Sequence, residues 1–174
     1  NLAGQITQNY YQILTKGDSQ FNIQGPQIGE SLNEIAYQLE TVARSGPAQG
    51  NANLPVEEDL INRALSLAAR RVLSDTSLQD QFVQRDLNEK TLLSAGKRQL
   101  LDIAYFLRTN SGNSVSFVED SKTNLYQLKV GSQTLNIDPA LGPFVSDVLP
   151  MIVGSAGRNA QGKVYIDPYA FANN

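Results

Sequence analysis

The sequence predicts an α+β fold, in which an N-terminal helical bundle precedes a small antiparallel β-meander with a short helix and a C-terminal strand. Apolar residues repeat with a period near 3.6 up to about residue 109, which is typical of helices that bury one face. Beyond residue 113 the period falls to two, which is typical of half-buried strands. We therefore expect one domain over 1–174, with a helical part at 2–110 and a β-containing part at 113–168.

The clearest helical pattern lies at Val56–Leu73. Its apolar residues form one broad stripe at helical spacing. Acidic residues fill positions 57–59, and Arg70 and Arg71 lie in the last turn, so both ends complement the helix dipole. Pro55 suits the first helical position, where no N–H is needed. We expect the other helices to pack against this stripe.

The same periodicity predicts further helices at 2–14, 28–42, about 77–86 and about 88–109. Ser31 and Glu34 have the spacing of a capping box for the second of these. Residues 21–27 read as a loop or a short extended piece, because Gly and Pro follow a brief alternation. Residues 45–54 are small, polar and uncharged, which predicts a surface loop, or alternatively a hinge or recognition loop.

Three runs of two-residue alternation predict the meander, at 115–117, 126–130 and 135–137. Gly131-Ser132 between the last two runs is a signal for a type II′ hairpin turn. Asp138-Pro139 predicts the start of a short helix that runs to about residue 152. Residues 154–162 then predict a flexible loop, and 163–166 a fourth strand that joins the meander.

Composition excludes several kinds of function. The chain has no Cys and no His, so it supplies no Ser–His–Asp triad, no Cys–His dyad, no disulfide and no His- or Cys-based metal site. The net charge of −3 argues against nucleic acid as the main partner. No apolar run reaches the length of a membrane span. We expect no cofactor and no metal.

Neutral polar residues without Cys are frequent in exported bacterial proteins and in virion components. The first residue is Asn, so we expect a processed or trimmed piece from which any signal peptide has already been removed. These observations favour an extracytoplasmic location, periplasmic or secreted, with a virion as the alternative.

Carboxylates are the candidate catalytic groups that the sequence pattern singles out. Asp138 and Asp167 each follow a predicted strand and precede a proline, so they form a candidate acid–base pair for a carboxylate-dependent hydrolase. Two N-caps explain them more simply. Glu119, Asp120 and Asn124 lack the spacing of an EF-hand, and Ser155 lacks the spacing of a nucleophile elbow.

Binding through shape is the function that these exclusions leave. A meander has two strand edges, which we predict to be Val115–Val118 and Val164–Ile166, and open edges invite β-augmentation. The leading hypothesis is a non-enzymatic interaction or assembly subunit that binds protein partners or itself, in a cell-envelope complex such as a secretion apparatus. A virion structural protein and a carboxylate-dependent hydrolase are the alternatives. The candidate interaction residues lie at these edges, in the first helix and at the C-terminus: Tyr11, Val115, Phe117, Val164, Tyr165 and Phe171.

Overall fold

The computed structural model describes residues 20–24, 32–45, 56–110, 114–120, 125–158 and 164–172. The predicted α+β class is confirmed. The elements, in chain order, are β1 (Gln20–Gln24), α1 (Leu32–Ala43), α2 (Val56–Leu73), a 3₁₀ turn (Thr76–Leu78), α3 (Gln79–Gln84), α4 (Glu89–Thr109), β2 (Ser114–Asp120), β3 (Leu125–Val130), β4 (Gln133–Ile137), α5 (Gly142–Gly154), β5 (Ala156–Arg158), β6 (Val164–Ile166) and α6 (Pro168–Ala172).

The main sheet is antiparallel and has the strand order β1-β2-β3-β4. The β3–β4 hairpin turns through Gly131 and Ser132, because Val130 pairs with Gln133. Gly131 has φ +59°, whereas Ser132 is not among the described residues with positive φ. That combination fits a type II′ turn and excludes type I′. The predicted hairpin is confirmed with its register.

The pairing of two strands differs from the prediction. The extended alternative for residues 21–27 agrees with the strand β1, but its pairing with β2 along its whole length was not predicted. The prediction that 163–166 joins the meander is wrong, since β6 pairs with β5, which lies inside the segment predicted to be a flexible loop. Both differences have one cause: the sequence pattern reports how a strand is buried but not which strand lies beside it.

The helices carry most of the core. α2 has the predicted bounds, and Leu65 and Ala68 on its stripe are fully buried. α1 packs mainly on α4, and Arg108 of α4 forms an ion pair with Glu40 of α1. α2 contacts α4, α5 and α6, so it lies among the other helices as expected.

Lys97 of α4 joins three elements. Its Nζ donates to the carbonyl of Ser45, just after α1, at 2.7 Å and to Oδ1 of Asn62 in α2 at 3.1 Å. Burial lowers the pKa of this ammonium group. A cation at this place also complements the C-terminal end of the α1 dipole.

The break between the two predicted helices at 77–86 and 88–109 is confirmed. Asp86 adopts φ 52°, and Leu87 N–H donates to the carbonyl of Phe82 at 2.8 Å, which is the pattern of a Schellman C-terminus. Asn88 then begins α4 through a reciprocal capping box with Thr91. Local hydrogen bonds therefore explain both the end of α3 and the start of α4.

α5 begins later than predicted. Asp138 caps a turn, in which its carbonyl accepts from the N–H groups of Leu141 and Gly142, and the helix starts at Gly142. Two glycines allow close packing here: a Cβ on Gly96 would lie 2.5 Å from the Phe144 ring, and a Cβ on Gly142 would lie 2.2 Å from the Tyr126 ring. Gly96 is thus a packing position in a continuous α4.

Several predictions fall outside the described residues. They are the helix at 2–14, the cap at Ser31 and most of the loop at 45–54. The single-domain organisation stays a prediction. Within the described ranges, no helix combines the length and the apolar character that crossing a membrane requires.

Candidate functional site

The outer edge of the main sheet is β4, which pairs only with β3 in the described part of the chain. A two-residue turn makes the flanking Val130 and Gln133 a hydrogen-bonded pair, and such pairs alternate with non-hydrogen-bonded ones along an antiparallel ladder. Gln133, Leu135 and Ile137 therefore direct their backbone groups towards β3. Thr134 and Asn136 direct theirs away from the sheet.

The outward backbone groups of Thr134 and Asn136 take part in no hydrogen bond between described residues. Both side chains are exposed, and Asn136 Oδ1 accepts from Gln127 Nε2 across the strand pair at 2.8 Å. An added antiparallel strand can thus form two N–H···O and two O···H–N bonds with this edge.

A groove of about 510 Å³ lies between α4 and this edge, and we call it the edge groove. Its α4 wall is one stripe of the helix, spaced three and four residues apart, and its other wall comes from β4 and the turn after it. The lining residues are Gln99, Asp102, Tyr105, Phe106, Thr109, Leu135, Asn136 and Asp138.

The edge groove combines apolar and acidic groups. Tyr105 is 71% exposed although it is large and aromatic, while Phe106 beside it is nearly buried. Asp102 is exposed and has no ion pair within the described ranges. Leu135 is partly buried and packs against the core. The groove thus offers an aromatic ring and a carboxylate next to unmade backbone hydrogen bonds.

Asp138 closes one end of the edge groove. Arg85 Nη1 lies 2.5 Å from its Oδ1, and the N–H of Ala140 donates to the same oxygen at 3.0 Å. The hydrogen bond from Arg85 is the main reason that the pKa of Asp138 is lowered, and Asp138 in turn raises the pKa of Arg85. Arg85 therefore balances the charge of the ionised Asp138, whereas the Asp102 carboxylate of the groove has no ion pair with another described residue.

A second cleft, of about 350 Å³, lies between α2, β2 and α5. Asp147 pairs with Arg71 at 2.9 Å, and Glu119 accepts from Ser146 Oγ at 3.2 Å. Burial, helped by Glu119, raises the pKa of Tyr126 to about 12, so this phenol stays a proton donor at neutral pH. Asp147 and Glu119 therefore link α5 to α2 and to β2, so these carboxylates have structural roles in the cleft.

Asp138 and Asp167 do not form the predicted pair at neighbouring strand ends, because β4 and β6 belong to different sheets. Each instead accepts from the N–H two residues ahead, Ala140 for one and Tyr169 for the other, both at 3.0 Å. The repeated Asp-Pro therefore makes the same turn twice. The described residues also hold no cluster of three or more carboxylates placed to bind a metal ion.

The predicted interaction residues are scattered. Val115 and Phe117 are each 1% exposed, and their strand β2 is interior, so the prediction of an edge at Val115–Val118 is wrong. Phe171 is fully buried in α6. Tyr165 is exposed beside Val164 in the small sheet. Tyr11 lies outside the described residues.

Comparisons with known proteins found no matching family model, no matching curated protein and no matching solved structure. The candidate site therefore depends on geometry alone. Sequence reasoning missed Tyr105 and the edge at β4, although one signal was present. Tyr105 is a large aromatic residue between Ala104 and Phe106 and lies off the apolar stripe of α4.

Proposed function

We propose that this chain is a non-enzymatic interaction subunit that takes an extended segment of a protein partner onto the edge of β4. The observation that carries the proposal is that β4, beside the edge groove, pairs only with β3 among the residues that the structure describes. Strand addition gains affinity from main-chain hydrogen bonds and specificity from the pockets that receive alternate side chains. The outward backbone groups of Thr134 and Asn136 can supply the main-chain hydrogen bonds. The edge groove beside them can receive a side chain of the partner.

The sequence of β4 supports this use of the edge. Proteins protect exposed edges with lysine, proline, bulges or a very short strand. β4 has neither lysine nor proline, and its pairing with β3 is continuous, with no bulge. Its length of five residues is ordinary for a strand, so length does not prevent a short segment from pairing. An edge of this kind is expected to have an occupant in the working protein.

We further propose an extracytoplasmic complex, such as a secretion apparatus, as the setting, with a virion as the alternative. The support is composition: no Cys and many neutral polar residues. Genomic neighbourhood and the presence of a signal peptide in the precursor distinguish the two settings.

The test uses proline on the outer side of the edge. Asn136→Pro removes an outward N–H that bonds nothing in the described structure, so the β3–β4 ladder stays intact. Asn136→Ala is the matched control, because it loses the same side-chain bond to Gln127 and keeps the N–H. Partners are captured from the native source with each variant, and backbone protection is mapped by hydrogen exchange.

The proposal predicts that wild type and Asn136→Ala retain the same partner and that Asn136→Pro loses it. Bound partner should slow amide exchange at Thr134 and Asn136. Circular dichroism and thermal melting check that each variant folds, and Thr134→Pro with Thr134→Ala repeats the comparison at the second outward position. Partners that Asn136→Pro and Thr134→Pro retain in full would contradict the proposed edge.

A further inference from the structure

We infer that the edge groove selects a partner segment carrying Arg or Lys at the position that pairs with Leu135. This inference rests on the proposed function, because it specifies the chemistry of the strand that β4 receives. It is carried by the placement of Asp102 and Tyr105 on the α4 wall, opposite an edge whose own residues have no charge.

The register fixes which partner residue enters the groove. An antiparallel strand exchanges hydrogen bonds with Thr134 and Asn136, so the partner residue opposite Leu135 belongs to a non-hydrogen-bonded pair. Side chains of such a pair lie on the same face and close together. Leu135 lines the edge groove, and the partner residue opposite it is directed into the same space. Its two neighbours are directed to the other face.

The groove's chemistry suits a cation on a long apolar stem. Asp102 and Tyr105 are three residues apart on α4, which makes them neighbours on the helix surface. An Arg or Lys stem can cover the exposed Tyr105 ring while the charged group reaches the Asp102 carboxylate. Asp138 does not compete for this cation, because Arg85 already pairs with it.

The Asp102 carboxylate and the net negative charge of the chain disfavour a second copy of this chain as the occupant of the edge groove. If two β4 strands paired about a twofold axis through Leu135, each groove would receive Leu135 of the other copy. Gln133–Ile137 contains no Lys or Arg, so that strand brings no cation to Asp102. Each copy also carries a net charge of −3. A different, basic segment satisfies the groove better than β4 itself.

The experiment measures binding of capped peptides with the sequence Thr-Val-Thr-X-Thr-Val-Thr, labelled for fluorescence anisotropy, where X is Arg, Lys, Gln or Glu. The Arg and Lys peptides should bind about tenfold tighter than the Gln peptide at low salt, and the Glu peptide should bind weakest. Raising the salt concentration should narrow these differences. Asp102→Asn should reduce the Arg-over-Gln preference to the part that the Tyr105 ring supplies, while the Gln peptide keeps its affinity.

The outcomes separate the two proposals. If all peptides bind alike and Asn136→Pro abolishes their binding, the edge function stands and the selectivity for a cation is wrong. If Asn136→Pro leaves peptide binding unchanged, or if no peptide binds, the function of the edge is contradicted as well. An Arg preference of unchanged size in Asp102→Asn overturns the role of the groove carboxylate.

Discussion

The strands β2 and β4 belong to one sheet and differ in almost every other respect. β2 has seven residues, a neighbour on each side, and two side chains, Val115 and Phe117, that are almost wholly buried. β4 has five residues, one neighbouring strand within the described part of the chain and one buried side chain, Ile137. Burial makes β2 a source of stability, whereas we propose that β4, whose outward backbone groups bond no other described residue, is a surface for binding.

The largest expected effect comes from truncating one apolar residue on each strand. Phe117→Ala should lower the free energy of unfolding by about 3–5 kcal/mol, because it leaves a cavity beside Tyr126, whose ring centroid lies 6.4 Å away. Leu135→Ala should cost about 1 kcal/mol, since Leu135 is only partly buried. Urea unfolding measures both. Equal losses would mean that β4 is as much a part of the core as β2.

An intermediate effect comes from adding a methyl group at two glycines. Gly142→Ala should cost about 1–3 kcal/mol, because the new Cβ would collide with the buried Tyr126 ring. Gly131→Ala should cost about 1 kcal/mol from its positive φ alone, since no atom lies within 4 Å of the new Cβ. Thermal melting compares the two variants. A larger loss at Gly131 would mean that the hairpin turn, and not the interior, limits stability.

A smaller effect is expected where the edge groove ends, at the Arg85–Asp138 pair. The pKa of Asp138 is lowered in the folded protein, so the pair stabilises the fold above the ordinary carboxyl pKa of 3.8 and loses this contribution as the pH falls through the folded pKa. Asp138→Asn keeps the turn and removes the charge. It should cost about 0.5–1 kcal/mol at pH 7 and nothing once Asp138 is protonated.

Asp167→Asn is the matched control, because Asp167 caps the same kind of turn and forms no ion pair with a described residue. It should leave stability nearly unchanged at pH 7. Denaturant unfolding as a function of pH provides both curves. Equal losses in the two variants would assign the effect to the turns and not to Arg85.

Local patterns in the sequence predicted the helices and the hairpin well. The bounds of α2 and the turn at Gly131-Ser132 follow from signals contained within a few residues, namely stripes, caps and positive φ. The neighbours of strands do not follow from such signals. Gln20 of β1 pairs with Val118 of β2, more than ninety residues later in the chain. No local sequence signal indicates that contact.

The candidate site was missed for the same reason. An edge is a property of the whole sheet. Leaving residues 21–27 without a strand partner turned β2 into an apparent edge, and adding 163–166 to the meander removed β4 from consideration as an edge. The residues of the edge groove come from α4 and β4, which are distant in sequence and meet only in the fold. The sequence showed Tyr105 as an aromatic residue off the apolar stripe of α4. It did not show that β4 forms the other wall of the groove.

Amide hydrogen exchange of the uncomplexed protein, resolved residue by residue along β4, tests the open edge most directly. The N–H groups of Gln133, Leu135 and Ile137 point towards β3, so those amides should exchange slowly. The N–H groups of Thr134 and Asn136 should exchange quickly, at rates near those of an unstructured peptide. Slow exchange at all five positions in a monomer would show that the edge is already covered, and it would contradict the account.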